Sequence, residues 1–226
     1  MNRRSLVLGA SALGLAAFAG GSWLVRDMQA REAAAEAEAR AAAIPDANTL
    51  LLRPSAPVLG PEDAPVTLVE FFDPSCEACR AFHPVLKQLR AEFPDSLRIV
   101  MRYAAFHQGS DEAVAILEAA RRQDLFEPVL NALLESQPAW ARHDRPNLDI
   151  AWDAAEAAGL DISTRDIETK YPATVAILTQ DRADIEALGV RATPTFYLDG
   201  QELTDVSFQI LAELVREAVV EATQQG

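Results

Sequence analysis

The chain has only two cysteines in 226 residues, too few for a disulfide-stapled scaffold. They form one Cys-x-x-Cys pair, which supplies only half of the roughly four ligands a zinc site needs. Histidine is scarce too, with His83, His107 and His143 scattered along the chain. Three methionines leave little for soft-metal carriage. Positive charge is in short supply: 20 Lys and Arg against 34 Asp and Glu give a net charge of −14. That balance excludes the clustered basic surface needed for nucleic-acid phosphates or anionic lipid headgroups. No Gly-rich phosphate loop and no repeat of about 20–50 residues occurs, which excludes a nucleotide cradle, a solenoid and a propeller. What is abundant is apolar side chain, 50% of the residues. A chain of this length and hydrophobicity folds as one domain of about 150–200 residues with appendages.

The appendages come first. Arg3 and Arg4 precede an uncharged run from Ser5 to Val25, closed by Arg26 and Asp27. A basic start before an apolar stretch is the pattern of an export signal. Ala17-Phe18-Ala19 offers a small-x-small cleavage site, while the run of about 20 residues also suffices for a single membrane anchor. Residues 1–25 are therefore read as a signal peptide or signal anchor, and either places the remaining chain outside the cytoplasm. Residues 26–57 form a spacer. Its first part is almost only Ala, Glu and Arg, with the acid-then-base i,i+4 pairs Asp27/Arg31 and Glu36/Arg40 that support a solvated helix. It lacks the Leu/Ile seam of a coiled coil. Pro45, Pro54 and Pro57 then mark an extended linker, so a domain spanning 58–226 is expected.

One strand and one helix frame the cysteines. Pro65 to Phe72 is a short apolar run that reads as a buried strand, broken by Asp73-Pro74-Ser75. From Glu77 to Phe93, Phe82, Val85, Leu86, Leu89 and Phe93 recur at helical spacing. Cys76 thus starts a helix and Cys79 lies one turn inside it. Unpaired N–H groups and the helix dipole stabilise a thiolate at Cys76, while Cys79 is the more protected, resolving thiol. A structural bridge normally ties distant segments together, whereas this pair closes a tiny loop. Redox chemistry is the expected use, with an inert pair or a metal site as alternatives.

Two stretches carry a resemblance to a known family. One runs Gly60-Pro61-Glu62-Asp63-Ala64-Pro65-Val66-Thr67-Leu68-Val69-Glu70-Phe71-Phe72-Asp73-Pro74-Ser75-Cys76-Glu77-Ala78-Cys79, the other from Gly189 through Thr193-Pro194 to Gly200. An acid, Cys-x-x-Cys, a helix proline at Pro84 and a Thr-Pro strand occur in the order seen in the thioredoxin superfamily. Residues 58–226 resemble its exported, DsbA-like branch. The resemblance implies an α/β thioredoxin fold with a helical insertion at about 107–188, where apolar periodicity and Gly159, Pro138, Pro146 and Pro172 mark several helices. Trp140 and Trp152 there are expected to pack. Ser207 to Thr223 is expected to close the domain as a helix packing through Ile210, Leu211, Leu214, Val215 and Ala218.

The resemblance also implies roles. Glu70 would exchange protons with Cys79, and an acid inside an apolar strand should have a raised pKa. Thr193-Pro194 would form a cis bond beside the active-site pair and bind an extended substrate. The expected activity is protein thiol:disulfide exchange through Cys76 and Cys79, with no metal and no cofactor beyond the redox-active disulfide. Cysteine-containing exported clients and a membrane partner of the DsbB type would complete the cycle in the periplasm. The chain departs from the strongest oxidases of that branch, which carry Pro-His where it has Glu77-Ala78. Glu77 adds a like charge beside the thiolate and Arg80, one turn on, offsets it, so a moderately oxidising potential is expected. A reductase or isomerase running the same chemistry is the alternative, and a thiol-based metal-binding protein a weaker one.

Overall fold

The computed structural model of the chain describes residues 47–225 together with Met28 and Arg31. The expected signal or anchor and nearly all of the helical spacer lie outside the described residues. The chain divides into two units at Pro45/Asp46; in the first, Met28 and Arg31 are helical and exposed.

The second unit is built on a five-stranded mixed sheet in the order β1-β3-β2-β4-β5, formed by β1 (Val58–Leu59), β2 (Val66–Phe72), β3 (Leu97–Tyr103), β4 (Thr195–Leu198) and β5 (Gln201–Leu203). Strands β2 and β3 are parallel, joined by helix α2 (Glu77–Glu92), whereas β1, β4 and β5 pair antiparallel with their neighbours. β2 is central and buried along nearly its whole length, which is why its residues form a continuous apolar run rather than alternating. α2 continues through Pro84. Its Phe82 ring lies 5.2 Å from Phe196 and 4.5 Å from Phe208, tying the helix to the sheet and to the last helix, α8 (Phe208–Gln225).

Between β3 and β4 the chain inserts α3 (Ser110–Arg121), α4 (Phe126–Trp140), α5 (Leu148–Ala157), α6 (Arg165–Glu168) and α7 (Pro172–Leu188). This is a thioredoxin fold with a helical insertion. Ala and Leu positions of α3 are buried all round because α3 packs against α4, α5, α6 and α7. Trp140 and Trp152 are fully buried, their indole N–H groups satisfied by the Leu133 carbonyl and the Glu112 carboxylate at 2.8 Å each. Gly189 ends α7 in the left-handed conformation, a helix stop that glycine adopts without strain.

Three details differ from expectation. The packed unit starts before Val58: Ala47–Leu51 is a helix (α1), and Leu51 is fully buried. Arg102 on β3 holds that segment through the Leu50 and Leu51 carbonyls while pairing with Asp181 and Asp184 at 2.6 Å, and Arg53 joins Asp184 at 2.7 Å. Arginine–carboxylate chemistry anchors a stretch whose prolines suggested a free linker. The periodic run 162–188 is split, because Pro172 opens α7 and leaves α6 as a separate single turn. In α8 the buried stripe is Leu211, Val215 and Val219; Ile210 is exposed, one position off the face that meets the sheet.

Candidate active site

The site forms where β2 ends and α2 begins. Cys76 is the N-cap of α2 with an extended backbone, and Cys79 sits one turn inside; both are free thiols and nearly fully buried. Their environments drive them apart. Cys76 is lowered to about 5, chiefly because the Cys79 thiol donates to its sulfur. A side-chain bond with Thr193 and the backbone N–H groups of Ala78 and Cys79 add to this, together outweighing burial. Cys79 is pushed far up by burial, then by its bond to Cys76 and the charge on Glu70. One sulfur is thus prepared to be a thiolate and leaving group, the other to hold a proton.

The Thr193–Pro194 bond is cis and brings Thr193 to the pair. In the protonated state the Cys76 Sγ lies 3.2 Å from the Thr193 carbonyl and donates to it. The Thr193 side chain is among the contacts that lower Cys76.

Glu70 is 1% exposed on the central strand, between Met101 on β3 and Phe196 on β4. Its Oε1 has no hydrogen-bond partner. Burial first, and the charge on Cys76 second, raise its pKa to about 8. A carboxyl so placed is largely neutral at pH 7, because burial disfavours its charge.

Several residues that hold the site were not legible as functional. Asp73 is fully buried and accepts from the backbone of Ser75 at 2.8 Å, Phe106 at 2.8 Å and His107 at 3.0 Å, and from the Ser110 hydroxyl. Its own carbonyl accepts from the Cys76 N–H at 3.0 Å, so it shapes the turn that presents the cysteine. Gln137 of α4, also buried, donates through Nε2 to the carbonyls of Pro74 at 2.8 Å and Cys76 at 3.0 Å. The signal for Asp73 was its place just after a buried strand; for Gln137, from another helix 61 residues on, there was none.

The dipeptide between the cysteines behaves differently from expectation. Glu77 and Ala78 are both exposed. The Glu77 carboxylate pairs with His143 Nε2 at 2.9 Å, so its charge is partly met. Arg80 is turned to Gln137 Oε1 at 2.8 Å. The histidines expected to be scattered are partly gathered, since the His107 and His143 rings lie 5.8 Å apart. Among the described residues no group of three or more His, Cys, Asp or Glu is arranged to hold a metal ion.

With this geometry, the sequence comparisons place the chain plainly: it belongs to the thioredoxin family, whose sequence profile matches residues 53–217. A Na(+)/H(+) antiporter NhaA of Herminiimonas arsenicoxydans is 36% identical over 169 residues, which are 75% of this chain and 26% of that protein. The chain spans about a quarter of the length of the antiporter relatives it matches. A probable disulfide bond formation protein D of Bacillus cereus is 26% identical over 161 residues, 63% of this chain and 69% of that one. Among solved structures, a thioredoxin-like oxidoreductase from Silicibacter pomeroyi superposes with a TM-score of 0.65 at 28% identity, covering 80% of this chain and 98% of that one. Wolbachia pipientis alpha-DsbA1 shares the fold at a TM-score of 0.68 and 16% identity, over 80% of this chain and 98% of its own.

Proposed function

We propose that this protein is an exported thiol:disulfide oxidoreductase that passes the Cys76–Cys79 disulfide to cysteine pairs of client proteins. The observation that carries this reading is the asymmetry of the pair: Cys76 is lowered to about 5 while Cys79 is driven up. A stabilised Cys76 thiolate stabilises the reduced protein and makes its disulfide the better donor. The name of the Bacillus cereus relative, a probable disulfide bond formation protein, supports the same direction.

A client thiolate attacks the Cys76 sulfur; the Cys76–Cys79 bond breaks and Cys79 leaves with the electron pair. Protonated Glu70, buried beside it, supplies the proton that its high basicity demands. The client's second thiolate then attacks the client sulfur of the mixed disulfide, and Cys76 departs as a stabilised thiolate. Thr193 and cis-Pro194 border Cys76 where an extended client segment lies across it. Reoxidation falls to a membrane partner of the DsbB type in the periplasm. Among the described residues no helix is long and apolar enough to cross a membrane.

The test is stoichiometric. Oxidised full-length protein mixed with a reduced dithiol peptide, with no other oxidant, is expected to yield one peptide disulfide per protein. The Cys76→Ser variant is expected to yield none. Failure of the wild-type protein to oxidise the peptide, with a reduced form that instead cleaves a peptide disulfide completely, would reverse the assignment to a reductase.

A further inference from the structure

Two histidines on either side of α3 and α4 meet over the first turn of α2. His107, in the loop between β3 and α3, has Nδ1 2.7 Å from Asp73 Oδ2. Asp73 is an acceptor for every other group that reaches it, so Nδ1 carries the hydrogen and Nε2 is the nitrogen that titrates. His143, in the loop between α4 and α5, stands 5.8 Å away ring to ring and binds Glu77 at 2.9 Å. The result is a row Asp73–His107–His143–Glu77, with its ends fixed three positions before Cys76 and one after it. His107 is about one-third exposed, at 34% of its side chain, and so remains in exchange with water.

The other charged groups near the row are accounted for. Arg80 of α2 is held by Gln137, and Arg142 lies 3.8 Å from Asp144. Those residues line, with Glu77 and His143, a cleft of about 540 Å³ beside the row. Asp73 bonds His107 from the β2–α2 turn, and the charge on Cys76 in the same turn acts on it.

We propose that His107 is the proton site coupled to reduction of the Cys76–Cys79 disulfide, with His143 and Glu77 setting how tightly it holds that proton. This deepens the oxidoreductase reading and rests on it. When a client dithiol reduces the pair, the Cys76–Cys79 bond breaks, a client disulfide forms, and two electrons enter the protein. Two client protons are released. One replaces the proton that Glu70 gives to Cys79, Cys76 remains a thiolate, and the second is taken up at His107 Nε2 instead of leaving to water. The imidazolium then stands near the thiolate it was formed with, a role that a histidine between the cysteines would otherwise supply. Burial lowers the basicity of His107, but the bond and charge of Asp73 and the charges on Cys76 and Glu77 outweigh it and raise it overall. The charge on Cys76 exists only in the reduced state, which links proton affinity to redox state.

Proton bookkeeping makes the test sharp. Without uptake at His107, reduction by glutathione releases one proton above the Cys76 titration, and its equilibrium constant rises tenfold per pH unit. With uptake, that rise is suppressed across the histidine range. Full-length wild type and His107→Gln would be equilibrated with glutathione from pH 5.5 to 8 and the oxidised fraction read by thiol trapping. Wild type is expected to be reduced about three- to tenfold more readily than His107→Gln near pH 6, or ~15–30 mV at 29.6 mV per tenfold, with the two converging by pH 8. A displacement equal at all pH values would mark a structural effect and overturn the proposal, as would superimposable curves. Wild type that fails to exchange with glutathione at any pH would sink the oxidoreductase reading itself. If His107→Gln does not fold, His143→Gln, which leaves the Asp73 bonds intact, is expected to move the wild-type inflection to higher pH, because the Glu77 carboxylate loses its 2.9 Å partner and its charge raises His107 more strongly; an unmoved inflection overturns the proposal.

Discussion

Glu70 and Asp73 are three residues apart, both carboxylates, both buried within one strand end of the catalytic pair, and they are treated in opposite ways. Asp73 meets five donors from Ser75, Phe106, His107 and Ser110. Glu70 meets none at Oε1 and is raised to about 8. A buried carboxylate surrounded by donors is a scaffold, because every oxygen lone pair fixes a segment. One left alone in an apolar sheet is a proton store, because burial disfavours its charge. The difference follows from where the chain turns: Asp73 lies at the break after β2, where loop N–H groups are unpaired, and Glu70 lies inside the ladder, where the backbone is already satisfied.

The comparison is broken most severely at Asp73. Asp73→Ala leaves several buried donors without acceptors and is expected to destabilise the fold by about 3–5 kcal/mol, read as a shift in the urea midpoint. Exchange activity should fall with it, since the turn presenting Cys76 loses its tie.

Glu70→Gln is expected to do the reverse at high pH. The folded-state pKa of Glu70 is raised above its unfolded value, so its stabilising share is complete below about 4.5 and is lost as pH rises through about 8. The glutamine variant escapes that loss, and near pH 9 it should exceed the wild type by roughly 2–4 kcal/mol. Its exchange rate at pH 7 should drop about 10- to 100-fold for want of the proton donor. A stopped-flow pH series checks both the drop and the disappearance of an inflection near 8.

Much of this was legible in the sequence, for a reason that separates the two carboxylates again. Cys76 and Cys79 lie at the start of one helix, where spacing alone assigns their order and depth, and Glu70 was legible through its place in an apolar strand together with family resemblance. Pro84 and Thr193-Pro194 were legible through family resemblance. The partners of Asp73 were not, because His107 and Ser110 arrive from 34 and 37 residues away across β3. His143 and Gln137 come from farther still, and no local pattern encodes such a meeting. The same holds for Leu51 and Arg53, whose placement depends on Arg102 and Asp184 rather than on anything in the proline-rich stretch itself. Ile210 failed for a smaller reason: an amphipathic helix with apolar residues at adjacent positions leaves its rotation undetermined by about one residue.

The mildest perturbation sharpens the site from the Thr193 side. Thr193→Val removes the side-chain bond that lowers Cys76. It should raise the thiolate titration by about half a unit to one unit, followed by thiolate absorbance, and make the disulfide a weaker oxidant without loss of stability.

The reduction potential of the Cys76–Cys79 pair in the full-length protein, equilibrated with glutathione at pH 7, tests the central claim most directly. A dithiol with one sulfur held as a thiolate and the other held protonated is expected at about −120 to −180 mV, in the range of disulfide donors. A value of about −250 mV or below would contradict it and make the protein a reductant maintained by an electron supply.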